Sequence, residues 1–126
     1  MSARAAELAA ILAHDVGKYI ARAARNLPAH GELPPALAQM LVHDVFETHA
    51  GRPALARFDE LAPELAELTN DARLGEVRSL LASAAPHEHA ARESDAAALR
   101  ALAGIALAVE SALRTISRDL RARGRT

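Results

Sequence analysis

"AAALRALAGIALAVESALRTISRDL", residues 96–120, is the stretch on which the fold turns. Leu99, Leu102, Ala106, Val109, Leu113, Ile116 and Leu120 recur at spacings of 3, 4, 3, 4, 3 and 4. A helix turns by about 100° per residue, so this rhythm draws one apolar seam over three heptads. A seam of this kind packs along another helix at a shallow crossing angle. The partner is either the first helix of the same chain or a second copy of the protein, and a bundle core is the commoner arrangement. Ile105 and Leu107 fall off the seam.

Composition agrees with helix on helix. Apolar residues make up 51% of the 126 residues and aromatics only 2%, so Ala, Leu, Val and Ile must build the core. Alanine has the best helix propensity and lets helices approach closely, while the residues that strands favour are scarce. The length suits one domain, 1–126, with a single core. Without cysteine there is neither a disulfide framework nor a thiolate metal site. Net charge is −1, which gives no global pull toward nucleic acid or an anionic membrane. The N-terminal MSARAAELAAILAHDVGK lacks an uninterrupted apolar run with a cleavage site, so no signal peptide is expected. No window is expected to reach the roughly 18 apolar residues of a membrane span. These readings together predict a cytoplasmic protein. Fourteen arginines against one lysine, with abundant alanine, suggest a GC-rich bacterial genome.

Upstream of the seam, proline, glycine and polar residues divide the chain into four more helices. The first spans residues 3–27 and stops before Pro28. "PAHGELPP" is a loop, and the second helix starts at Pro35 and ends at 50–51, with Gly51 as its stop. That second helix is apolar on two sides, with Leu37, Leu41 and Val45 on one and Val42 and Phe46 on the other. This places it in the middle of the bundle. Pro53 opens a third helix reaching 68, kinked or split by Pro63, which lacks the N–H and crowds the preceding turn. "TND" at 69–71 caps a fourth helix over 71–84. "APHEHAARESD" reads as a loop, with Ser94 or Asp95 capping the last helix to about 122. The expected fold is an all-α bundle of four main helices plus a kinked or split one, with long first and last helices.

The chemistry-bearing candidates lie in "ILAHDVGKYIARAARNL", residues 11–27. On a regular helix Leu8, Leu12, Val16, Tyr19, Ala23 and Leu27 form one inward stripe. His14 lies nearly opposite, sharing a solvent face with Glu7, Lys18 and Arg25, and Asp15 projects about 100° from it. "HDVGKYI" resembles the H-box of histidine-kinase dimerisation domains, where a phosphate-accepting His precedes an acidic and an apolar residue. Stand-alone histidine phosphotransfer proteins, which are helical bundles of this size with an exposed His and a nearby Lys, are similar too. The resemblance implies that His14 accepts phosphate, Asp15 orients the ring and takes its proton, and Lys18 offsets phosphate charge. Lys18 stands where the kinase family has Asn, and Tyr19 where it has Pro. A response-regulator receiver domain would be the partner, docking beside His14 through small residues such as Ala10 and Ala21. No ATP-binding domain is present, so the chain would relay phosphate without nucleotide, metal or other cofactor of its own.

"HDVGK" also resembles the core of HD phosphohydrolases, in which the His-Asp pair binds a divalent metal with further His and Asp residues. This resemblance implies a degenerate metal- or nucleotide-binding domain as the alternative. His14 is the first histidine here; "HDVFETHAG", with His43, Asp44 and His49, supplies later ones. The remaining alternatives are a helical interaction module that dimerises, or a solvated face spelling HD by chance in a chain that is 25% charged. His43 and Glu47, one turn apart, read as an ion pair rather than metal ligands. His87 and His89 fall in the expected loop. Arg118, Arg121, Arg123 and Arg125 complement the dipole at the end of the last helix. Ser79, Ser83 and Ser117 lack the elbow motif of a serine hydrolase.

Overall fold

The computed structural model describes residues 2–47, 53–69 and 72–124, the side chains of Ser2 and Asp15 excepted. Among these residues the fold is all-α, without strands. The elements are α1 (Ser2–Ile11), a π-helical segment (Leu12–Gly17), α2 (Lys18–Ile20), a 3-10 turn (Ala24–Asn26), α3 (Pro35–Phe46) and α4 (Ala54–Thr69). Then follow α5 (Arg73–Ala84), a 3-10 turn (Ala85–His87), α6 (Glu88–Arg92) and α7 (Ala96–Gly124).

The seam does what its spacing predicts. All seven of its residues are buried, none more than 2% exposed, while Leu107 is 40% exposed. Its partner is in the same chain: α1 and the π segment pack along α7, and α5 packs on it as well. Gly17 sits against Leu113, Arg25 pairs with Glu110, and Arg100 donates to the Gly31 carbonyl at 2.8 Å. Later residues at one end thus meet earlier residues of α7, so the two run antiparallel. The middle of the bundle belongs to α7, which every longer helix touches, and not to α3 as its two apolar sides suggested. One of those sides is turned by the fully buried Asp44 toward an internal ion pair.

At α7 the cap is Asp95, whose Oδ1 accepts the Ala98 N–H at 2.9 Å. Ser94 ends the preceding turn at φ 63°, the left-handed geometry common just past a helix. The segment before it, expected to be loop, is helical over Ala85–His87 and Glu88–Arg92. α3 stops at Phe46, short of the expected end; Gly51 and His49 lie outside the described residues, as do the cap residues Asn70 and Asp71. α4 runs through Pro63 as one helix rather than two. Pro63 is exposed, so the Asp59 carbonyl it leaves unbonded faces the solvent side, where helices tolerate the loss.

The first and last helices also differ from expectation. Residues 3–27 are not one regular helix, because the π segment interrupts them. And α7 is long and apolar enough to cross a membrane by length and composition, contrary to the expectation that no window qualifies. Within the fold it is the core helix, with 44% of that window buried against its neighbours.

Candidate functional site

A π-helix bonds each N–H to the carbonyl five residues back, so its turn is wider and one residue longer than an α turn. The core positions record that widening. Leu8, Leu12, Val16, Ile20 and Ala24 are buried at a constant spacing of four, slower than a regular helix would carry them. Tyr19, expected inside, is therefore 39% exposed, and Ile20 and Ala21 take its place in the core. Gly17 closes the segment where α7 passes close by. A Cβ there would lie 3.4 Å from the Leu12 carbonyl oxygen and 3.8 Å from Leu113.

His14 sits inside this segment and is exposed, as its helical angle predicts, together with Glu7, Lys18 and Arg25. The backbone of Asp15 belongs to the π turn; its side chain, to which the resemblance gives the proton, lies outside the described residues. Ala10 is exposed and available to a docking partner. Ala21 is fully buried, because the widened turn rotates it inward, so it is removed from the expected docking face.

Expelled from the core, Tyr19 becomes a platform for cations. The Lys18 ammonium lies 5.1 Å from its ring centroid and the Arg22 guanidinium 4.8 Å. Arg22 also reaches across to α3, where Asp44 is 0% exposed. Its Nε donates to Asp44 Oδ2 at 2.9 Å and its Nη2 lies 2.8 Å from Oδ1. Burial pushes the Asp44 carboxyl above the ordinary carboxylate value, and the Arg22 guanidinium and the Ala23 N–H work against that rise. The pair fixes the turn that follows α2, and with it the orientation of Tyr19 and Lys18.

Beside the π segment a groove of about 270 Å³ opens between Ala13, Gly17 and Lys18 on one side and α7 on the other. Arg25, Glu110, Leu113, Arg114, Ser117 and Arg121 complete its walls. Glu110 holds two of the cations, pairing with Arg25 and accepting from Arg114 Nη2 at 3.2 Å. His14, one residue from Ala13, does not line the groove. Sequence reading passed over this feature. The available signal was Glu110, Arg114, Ser117 and Arg121, which fall at i, i+4, i+7 and i+11 on one face of α7.

The other candidates resolve into structural ion pairs. His43 Nδ1 and Glu47 Oε2 are 3.4 Å apart, and Arg92 on α6 bridges Glu47 (3.3 Å) and Glu88 (2.8 Å). Among the described residues no three His, Asp or Glu side chains are grouped as a metal site would need. His87 and His89 belong to helical turns, and Arg123 donates to the Thr69 carbonyl at 3.3 Å. Ser117 lies buried in the groove wall and Ser83 donates to the Leu80 carbonyl. In comparisons with known proteins, no family model, no curated protein and no solved structure matches the chain.

Proposed function

We propose that the chain is a bacterial, cytoplasmic signalling protein that relays phosphate through His14. The observation that carries this reading is the exposure of a histidine within a π-helical turn on an otherwise tightly packed helix. Such turns cost stability and concentrate at functional sites. Lys18, exposed one turn on, supplies positive charge without a carboxylate partner among the described residues.

The step needs little machinery. A lone pair on a His14 ring nitrogen attacks the phosphorus of an acyl phosphate on a receiver-domain aspartate. The P–N bond forms as the P–O bond breaks, and the carboxylate departs with the bonding pair. Asp15 takes the proton carried by the other ring nitrogen, and Lys18 offsets charge on the phosphoryl oxygens. Return transfer reverses each event, so no nucleotide or metal is required of this chain. The receiver approaches over Ala10, whose small side chain leaves room for it.

Phosphoramidate, a small phosphoryl donor, tests the reading without a known partner. The intact mass should rise by one acid-labile phosphoryl group, and His14→Ala should abolish the gain. Lys18→Ala should slow labelling several-fold while leaving the far-ultraviolet circular dichroism unchanged. Labelling that persists in His14→Ala would remove His14 from the mechanism.

A further inference from the structure

The groove beside the π segment holds more positive charge than the fold needs. Lys18, Arg25, Arg114 and Arg121 converge on it against the single carboxylate of Glu110. Glu110, with its side chain only 15% exposed, anchors Arg25 and Arg114 in place. Lys18 and Arg121 have no carboxylate partner among the described residues. The four cations are exposed, and their like charges give the groove a positive potential that attracts an anion.

Ser117 adds a hydroxyl to the groove wall. It is 5% exposed, lines the groove, and its hydroxyl has no hydrogen-bond partner among the described residues. The two other buried polar residues are both engaged: Thr69 donates to the Leu65 carbonyl at 3.1 Å, and Asp44 pairs with Arg22. The Ser117 hydroxyl opens onto the groove, where it can donate to an occupant.

From these features we infer that the groove is a binding site for a small phosphate-bearing molecule. Guanidinium forks match phosphate oxygens in pairs, an ammonium adds a point charge, and a serine hydroxyl donates a further bond to the anionic oxygens. The volume of about 270 Å³ admits a phosphate or pyrophosphate with a short carbon chain, and is too small for a dinucleotide. Leu113 and Ala13 give the carbon part an apolar wall. His14 does not line the groove, but Lys18 is shared between the groove and the proposed His14 reaction. Ligand binding would bridge the π segment to α7, and so would hold the turn on which His14 sits.

Isothermal titration of the full chain with pyrophosphate tests the site. Saturable binding at one site per chain is expected, weakening as salt is added. Ser117→Ala and Arg121→Gln should each weaken it about tenfold, the usual effect of losing one charge-assisted hydrogen bond. Arg118→Gln removes an exposed cation from the same helix outside the groove, and should leave the affinity within about twofold. Circular dichroism of each variant establishes that it is folded. Absence of saturable binding would overturn the site. So would equal weakening by Arg118→Gln and Arg121→Gln, which would mean diffuse attraction to a basic surface.

Discussion

Asp44 shows how much one residue can organise. It is fully buried on α3, yet its bonds go to Arg22 and the Ala23 N–H on the turn that follows the π segment. Because burial raises the folded carboxyl above the ordinary value of 3.8, the folded state holds its proton to higher pH than the unfolded chain does. The stability this provides is complete below 3.8 and is lost as pH climbs through the raised value. Asp44→Asn lacks that titration. Thermal unfolding of both proteins from pH 3 upward should therefore show the wild-type advantage shrinking as pH rises. An advantage that grows with pH would contradict the sign. Asp44→Ala removes the acceptor altogether and should cost about 1–3 kcal/mol near neutrality, more than Asp44→Asn.

Tyr19 and His14 mark the reach and the limit of sequence reading at this scale. A regular helix puts His14 outside and Tyr19 inside, and the first placement holds while the second does not. The difference arises between them, at Leu12–Gly17, where the chain gains a residue on its turn. No composition or periodicity signals that gain, because a π turn is chosen by tertiary packing. Gly17 is a hint only in hindsight: a Cβ there would lie 3.8 Å from the Leu113 side chain of α7.

At the scale of elements, the π segment is a device with a cost. Removing one residue from it, Ala13, lets the core positions from Leu8 to Ala24 fall at 3.75 residues on average instead of four, nearer the period of a regular helix. The shortened helix should keep its core and melt at the same temperature or a few degrees higher, since strain at functional turns is commonly exchanged for stability. It should also lose phosphoramidate labelling of His14 and pyrophosphate binding together. A deletion that keeps both activities would make the π geometry incidental. Differential scanning calorimetry and the two binding assays read out each half of this prediction.

The α7 seam was the most legible element, because seven residues spaced by threes and fours leave a helix no other way to bury them. Its consequence is quantitative. Leu102, with no exposed surface, should cost about 2–5 kcal/mol when replaced by alanine, through lost transfer energy and the cavity left behind. Leu107, two-fifths exposed and off the seam, should cost no more than about 0.5 kcal/mol. Urea unfolding of the two variants makes the comparison, and similar losses at both positions would mean that the seam is not the core contact. Helix ends were less legible. α3 ends early, and the segment before α7 is helical despite its proline and its run of polar residues, because Ala91 turns into the core.

For the whole molecule, the all-α class followed from the shortage of aromatic and β-branched residues and from the periodicity of the last helix. The groove did not follow, because its walls come from residues about a hundred positions apart, Ala13 and Gly17 against Leu113 and Ser117. Each side alone reads as ordinary helix surface. The antiparallel packing of α1 and the π segment on α7 brings together an exposed histidine, a wide turn and a convergence of cations at one end of the bundle. Of the other described histidines, His43 pairs with Glu47, and His87 and His89 lie in helical turns.

The most direct measurement is a time course of phosphoramidate labelling, with occupancy read peptide by peptide across all six histidines. The account predicts that His14 gains phosphate first and predominantly, and that acid removes it. Uniform slow labelling of all six, or preferential labelling of another histidine, would contradict a phosphate relay centred on the π turn.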